Sequence, residues 1–420
     1  MLTTGISYLL MGLALVVTTL VFPHVLAFAR KHNIVDNPNA RKLQRVPVPV
    51  MGGTTVFVGL WVSVIVSFFI CEDTILLKVL GLLTVMYAIG AWDDIKDVSP
   101  ALRFLVESVV VWLMIVFLDV EINDFHGFLG IHKLPDVASV PLSLFAGVGI
   151  INGVNLIDGV DGYCSTYGAM ACAMFAALFF YAGDMVAFSM ALIAIGALIP
   201  FFFHNVFGKT SKMFLGDGGS LMLGTLLTYF TFVTLTSGSS CDFYDEKGMS
   251  LVAFCLAVLA VPVFDTLRVM ISRMVKGVSP FHPDKTHLHH MFIELNYSHL
   301  LTSGTIVMAN ALIIVFQHLS WMFGASINFQ VFLVIGLALM LTCGLYFVVE
   351  GERRKNDGEG SERFRRWSEN AKALNLSRTR VWMWIRNVVD SRWLAGKAPA
   401  SESPSDDQAP KPPRIDPRIG

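Results

Sequence analysis

Residues Asn152 to Gly162 read Asn-Gly-Val-Asn-Leu-Ile-Asp-Gly-Val-Asp-Gly and close an apolar run that is otherwise oily enough for a bilayer. Asn152, Asn155, Asp158 and Asp161 recur every third residue, and on a helix neighbours at that spacing share a side, drifting by about sixty degrees per step. Four polar groups are thereby aimed at one small volume. Gly153, Gly159 and Gly162 remove the side chains beside them, which lets the backbone turn and a ligand approach. A helix end capped by Asp-Gly turns is the plain alternative. Against it stands the cost of placing two carboxylates at a membrane face, at least roughly 2.5 to 3.5 kcal/mol for each charge on insertion scales.

The rest of the chain bears out the membrane setting. It has 420 residues, 54% of them hydrophobic and 15% charged, with a mean hydropathy of +0.62, which is far too apolar for a soluble protein. Windows long enough to span a hydrocarbon core predict an all-α polytopic membrane protein of eleven helices, at about 5–29, 51–70, 75–92, 102–119, 138–156, 164–183, 185–206, 218–236, 249–272, 303–322 and 327–349. The first is too long for a cleaved signal and has no small-residue cleavage site, so it reads as a retained helix. The six cysteines form no Cys-x-x-Cys, which speaks against zinc, haem attachment or redox chemistry.

Lys and Arg set the orientation. With the N-terminus outside, 28 of the 31 basic residues fall on one side, leaving only Lys78, Lys133 and Lys247 on the other. The positive-inside rule makes the basic side, with the C-terminus, cytoplasmic. On that face lie four polar clusters: Asp93, Asp94 and Asp97 after the third helix; Asn152 to Asp161 after the fifth; Phe-Leu-Gly-Asp-Gly-Gly-Ser, with Asp217, before the eighth; and His-Pro-Asp-Lys-Thr-His-Leu-His-His, with His282, Asp284, Lys285, His287, His289 and His290, after the ninth.

Carboxylates in small number per loop suit magnesium, which keeps several waters and bridges protein oxygens to substrate phosphates. A diphosphate substrate fits. Lys42, Arg45, Arg273, Lys276 and Lys285 are placed to neutralise phosphate charge, and Gly216, Gly218 and Gly219 to present backbone N–H groups at the start of the eighth helix. Each signal also has a bland reading. Asp93-Asp94 reads as a solvated loop or helix cap, the basic residues as topology signals, Gly-Asp-Gly-Gly as a turn, and the histidines as a helix cap or zinc site.

The order of these motifs, together with Ile-Val-Asp-Asn-Pro-Asn-Ala-Arg-Lys and Pro-Val-Met-Gly-Gly in the first cytoplasmic loop, resembles the polyprenyl-phosphate N-acetylhexosamine-1-phosphate transferases (glycosyltransferase 4 family) over about residues 5–350. The histidine motif is closest to the WecA and TagO type and less like MraY. Trp92 before Asp93 and Tyr163 after the last Asp-Gly are minor departures from the family pattern.

The resemblance implies transfer of sugar 1-phosphate from a UDP-N-acetylhexosamine, UDP-GlcNAc above all, to undecaprenyl phosphate, with release of UMP. It implies magnesium, with manganese able to replace it, held by Asn155 and Asp217. Asp93, with Asp94 beside it, would deprotonate or orient the lipid phosphate. Asp158 and Asp161 would face nucleotide and sugar, while Arg273, His287 and His289 would meet the diphosphate or sugar. It places the chain in the plasma (inner) membrane of a bacterium, and membrane-embedded dimers occur in the family. Alternatives are an MraY-type phospho-MurNAc-pentapeptide transferase and a transporter. A transporter would show charges near mid-membrane and an internal repeat, and neither is seen. No nucleic-acid partner is expected.

The transferase domain is expected at 1–350. Residues 351–396 mix Arg with Trp367, Trp382, Trp384 and Trp393, as an interfacial amphipathic helix or a partner-docking segment would, and the Pro-, Ser- and Asp-rich 397–420 reads as disordered.

Overall fold

The protein is described by a computed structural model covering residues 2–37, 46–279, 286–355, 361–374 and 379–391. Lys42, Arg45, His282, Asp284, Lys285 and the segment 397–420 lie outside the described residues.

Ten described helices are long and apolar enough to cross a membrane, and a bent pair makes eleven. They are α1 (Thr4–Lys31), α2 (Gly52–Cys71), α3 (Ile75–Ile95), α4 (Pro100–Leu118), α5 (Asp136–Leu156), α6 (Tyr163–Ala182), α7 (Met185–Phe207), α8 (Gly216–Leu235), the pair α9 (Leu251–Val258) and α10 (Ala260–Val275), then, after the short α11 (Leu288–Glu294), α12 (His299–Met322) and a last span formed by α13 (Ile327–Leu339), a π turn and α14 (Leu345–Arg353). The polytopic helical fold read from the sequence is the fold observed.

α8 is the centre of the bundle. Every residue of its apolar window is buried, which holds for no other described span. Its polar hydroxyls are tolerated because Thr225, Thr231 and Thr234 each donate to the carbonyl four residues back. Its neighbours approach closely through small residues, as in membrane helix pairs generally. A Cβ at Gly53 of α2 would stand 2.4 Å from the Gly219 nitrogen, and one at Gly90 of α3 would stand 2.4 Å from the Asp217 carbonyl oxygen.

The ninth span is not the straight helix expected over 249–272: α9 and α10 meet at 73° around Leu259. Pro262 has no N–H to offer the carbonyl of Val258, four residues back. Tyr167 donates its hydroxyl to that carbonyl at 3.0 Å, and the Asn310 amide donates to the carbonyls of Ala257 and Val258 and accepts from Val261 N–H. Partners from two other helices thus satisfy the broken backbone, the condition for a kink inside a bilayer.

A two-stranded ribbon, β1 (Val35–Asp36) against β2 (Val48–Pro49), precedes α2. Pro49 accepts the Phe214 amide, Gly52 N–H donates to the Phe214 carbonyl, and Gly53 N–H donates to Leu215. This stitches the entry to α2 onto the entry to α8.

Beyond the last span, α15 (Glu362–Ala373) and α16 (Arg380–Val389) return to the same end of the bundle. Phe364 and Trp367 pack against the core, Asn296 donates to Ser368, and Trp382 lies against Phe207 with ring centres 4.6 Å apart. Val381 and Trp384 remain exposed.

Candidate active site

α3, α5 and α8 converge at one end of the bundle. α3 continues to Ile95, so Asp93 and Asp94 lie in its last turn, not in a loop after residue 92. A carboxylate at a helix C-terminus opposes the dipole, and each of these two has found a compensating donor. Asp94 accepts the amide N–H of Asp217 at 2.8 Å and of Gly218 at 3.0 Å, capping α8 from another helix. Gly216 must be glycine to allow it: its φ is +75°, and a Cβ there would lie 2.6 Å from the Asp94 carboxylate.

The α8 amides expected to cradle a phosphate are therefore partly committed to protein. Gly218 N–H serves Asp94, and Gly216 N–H serves Asp158. Burial, and then the nearby charges of Asp217 and Asp94, push Asp158 well above the usual carboxylate range, although the Gly216 amide opposes this.

Asp93 joins a network around Arg103 of α4. The guanidinium lies 3.4 Å from Asp93, 3.4 Å from Glu107 and within hydrogen-bond reach of the Asn152 and Asn155 side-chain oxygens. Val98 N–H supplies the other partner of Asp93 at 2.8 Å. Glu107, almost fully buried, accepts the Asn152 amide. Asn155 in turn donates to Asp217 at 2.6 Å and to the Ser220 hydroxyl at 2.9 Å. Asn155 is thus the hinge between the Arg103 network and Asp217.

The triplet spacing does not persist as one helical side. α5 stops at Leu156, so Asn152 and Asn155 are helical while Asp158 and Asp161 sit in the following turn. Asp161 turns to Lys212 at 2.5 Å and to His299 Nδ1 at 2.8 Å. Burial would raise its pKa, but the His299 hydrogen bond and the charges of His299 and Lys212 hold it below the usual range. Gly162 N–H donates to Asn205 at 2.6 Å, and Asn205 reaches on to the Met213 carbonyl.

The histidine segment is ordered by Asp265 and Arg268 of α10, both buried. Asp265 accepts from Arg268 at 2.6 Å, pairs with His287 Nδ1 at 3.0 Å and accepts Leu288 N–H at 3.2 Å. Arg268 also donates to the Thr286 carbonyl and lies over the Tyr346 ring. His289 is packed onto the Asp158–Asp161 turn, where a Cβ at Gly159 would stand 2.9 Å from its Nε2. Burial, then the neighbouring His290 and His287, push His289 well below the ordinary histidine range, so it is a neutral imidazole at pH 7. Arg273 sits in the last turn of α10, half-buried.

Of the predicted residues, the structure thus groups Asp93, Asp94, Asn155, Asp158 and Asp217, and brings Asp161 and His289 to their edge. His287 is a second step outward, held by Asp265. Sequence reading missed Arg103, Glu107, Lys212, Ser220, Asp265, Arg268 and His299 as site residues. Glu107 carried a visible signal, a carboxylate inside an apolar run.

The oxygen groups near Asp217, the carboxylates of Asp94 and Asp158, the Ser220 hydroxyl and the Asn155 amide, are of the kind that suits a hard cation, although the three carboxylates are not gathered tightly enough to form a ready-made ligand group. The charges of Asp217 and Asp94, which add to burial in raising Asp158, also favour a cation. Asn155 faces Asp217 with its amide nitrogen, so joining a cation there requires a half-turn of that amide. A separate group of His126, Asp242 and Asp245, with ligand atoms within 4.8 Å of one another, belongs to the loops at the opposite ends of α4, α5 and α8. A helix of α8's length puts it about 30 Å from Asp217, so it does not serve this site.

Residues 76–235 match the family described as Glycosyl transferase family 4, and this span contains Asp93, Asp94, Asn155, Asp158 and Asp217. The chain is 29% identical over 303 residues to the undecaprenyl-phosphate alpha-N-acetylglucosaminyl 1-phosphate transferase of Escherichia coli (strain K12), covering 70% of this chain and 79% of that protein. It is 28% identical over 292 residues to the protein of the same name from Yersinia pestis, covering 68% and 76%. The Salmonella typhi protein of that name is 27% identical over 289 residues, again covering 68% and 76%. Over residues 76–235 the chain thus resembles glycosyl transferase family 4, and the convergence of its polar motifs at one bundle end agrees with that resemblance.

Proposed function

We propose that the protein transfers GlcNAc 1-phosphate from UDP-GlcNAc to undecaprenyl phosphate, the first membrane step in building a cell-surface glycan. The observation that carries this reading is the grouping of Asp93, Asp94, Asn155, Asp158 and Asp217 beside the cationic Arg103 at one end of a membrane bundle. The relatives' names supply the sugar and the lipid. The positive-inside asymmetry supports a cytoplasmic face for this end, where the nucleotide sugar is made available. A bacterial inner membrane is the setting that fits.

In the transfer, an oxygen of the lipid phosphate bonds to the sugar-linked phosphorus while the bond to the bridging oxygen breaks and UMP departs. Such a transfer needs alignment and charge stabilisation more than covalent help from the protein. Asp93, steadied by Val98 N–H and Arg103, is assigned to the acceptor, taking its last proton or orienting it. Asp217, with Asn155 and Asp158, would hold magnesium, which neutralises diphosphate charge when bound. Asp161, Lys212 and neutral His289 line the side assigned to nucleotide and sugar, and Arg273 is assigned to the diphosphate. Lys42, outside the described residues, is assigned to phosphate as well.

The test is UMP release by purified protein given undecaprenyl phosphate and a panel of UDP-sugars with and without magnesium. UDP-GlcNAc should support turnover that chelation abolishes. Preference for UDP-MurNAc-pentapeptide would move the chain to the other branch, and no release with any donor would remove the reading.

A further inference from the structure

The tail reaches into the same end of the bundle through one side chain. Asp390, just after α16, accepts three consecutive amides of the α7–α8 loop: Lys209 at 2.9 Å, Thr210 at 3.1 Å and Ser211 at 2.9 Å, with the Ser211 hydroxyl adding a fourth bond at 2.9 Å. Successive amides turned to one point form a nest for an anion. Burial alone would raise the Asp390 carboxyl, but these donors hold it below its ordinary range. Arg30 of α1 grips the same loop by donating to the Thr210 carbonyl. Trp382 against Phe207 seats the helix that delivers the carboxylate.

Immediately downstream of the nest the loop enters the active end. Lys212, one residue past the nest, makes the ion pair with Asp161. Met213 is tied through Asn205 to Gly162, Phe214 to Pro49 and Gly52, and Leu215 to Gly53, shortly before Asp217. Residues 208–215 therefore run as one pinned strip from Asp390 to the turn of Asp158 and Asp161.

We propose that Asp390 is a positioning residue for the transferase reaction, with the C-terminal helix clamping the α7–α8 loop so that Lys212 holds Asp161 toward the nucleotide sugar. This rests on the function proposed above. The clamping helix lies outside residues 76–235, the stretch that matches the family. Losing the carboxylate leaves three amides without their acceptor and frees the strip at one end. The consequence is felt by the donor substrate, because Asp161 and Lys212 lie on that side, while Asp93 and Arg103 are braced independently from α3 and α4.

The experiment uses the full chain in nanodiscs. Asp390→Ala should raise KM for UDP-GlcNAc by roughly tenfold, the scale of losing charge-assisted hydrogen bonds, with KM for undecaprenyl phosphate unchanged. Asp390→Glu should recover much of the loss. Combining Asp390→Ala with Lys212→Ala should add little to Lys212→Ala alone, since both act through one contact. Hydrogen exchange should quicken at 209–215 and also at 158–163 in Asp390→Ala. Quickening confined to 209–211, or a folded Asp390→Ala with unchanged donor KM, would overturn the proposal and leave the tail a structural appendage. If the wild type transfers no sugar phosphate, the function reading fails by itself, and exchange at 158–163 still decides whether the clamp reaches the Asp161 turn.

Discussion

The carboxylate of Asp94 and the backbone of Asp217 belong to helices packed side by side in the bundle, and they are joined at 2.8 Å by a hydrogen bond from the Asp217 amide. One acidic residue of the site thereby fixes the backbone of another. Asp94 is a cap for α8 as much as a chemical group, and its neighbour Asp93 is not.

Asp94→Ala should consequently lower thermal stability by about 1–2 kcal/mol, the range for losing a helix cap, and remove activity at the same time. Asp93→Ala should leave the melting transition much closer to wild type, since its partners Val98 and Arg103 lie near the surface of the site. Paired melts and UMP assays on the two variants check the difference, and equal destabilisation would contradict it.

Asp93→Asn should reduce turnover by roughly 10², the scale of general-base assistance. A lipid phosphate near neutral pH still holds part of its last proton, so the defect should shrink as pH rises and the acceptor ionises unaided. UDP-GlcNAc affinity and magnesium dependence should stay near wild type. A pH-independent loss with weakened magnesium response would reassign Asp93 to the metal or to structure.

Asp217→Asn and Asn155→Ala should each abolish magnesium-dependent UMP release while the protein still inserts and folds. Asn155→Asp puts an oxygen in place of the amide nitrogen that faces Asp217 and should retain some turnover, with a raised magnesium requirement because the added charge also meets Arg103. Normal turnover of Asp217→Asn at ordinary magnesium would take it out of the metal site.

At the opposite end, buried His126 pairs with Asp245 at 2.5 Å. Burial lowers its pKa, but the hydrogen bond and charge of Asp245, helped by Asp124 and Asp242, raise it to a net value above the ordinary one. A raised folded-state value means the pair stabilises fully below the unfolded histidine pKa, about 6.5, and fades as pH climbs through the higher folded value. Melting temperature should fall as pH is raised upward from about 6, and Asp245→Asn should flatten that slope. An unchanged slope in the variant would mean that another group is titrating.

The spans were legible because hydropathy is a local property, and Asp93, Asp94, Asn155 and Asp217, which the structure brings together, stood out as candidates because polar groups at oily helix ends are conspicuous. The bend at Leu259 was not legible, although Pro262 was in plain sight. What makes it tolerable is Asn310, about fifty residues away, and Tyr167 on a third helix. Asp161 was misplaced for a related reason: a period of three extends a helix on paper, but the real chain breaks at Leu156, where Gly159 and Gly162 open a turn toward Lys212 and His299. Arg103 was read as an orientation signal, and only its four partners reveal a second duty.

The enclosure of α8 bears on how the protein is made. A glycine- and threonine-rich segment whose every side faces other helices has no surface suited to lipid, so it gains little by leaving the translocation machinery alone. Its main packing partners α2, α3 and α5 have been synthesised before it emerges, and α9, which also touches it, follows. The eighth segment then enters a waiting slot and carries Asp217 to Asp94 and Asn155 in the same movement. The grouping of Asp217 with Asp94 and Asn155 can therefore form only after residue 217 has been made, and a chain interrupted before residue 216 lacks Asp217 altogether.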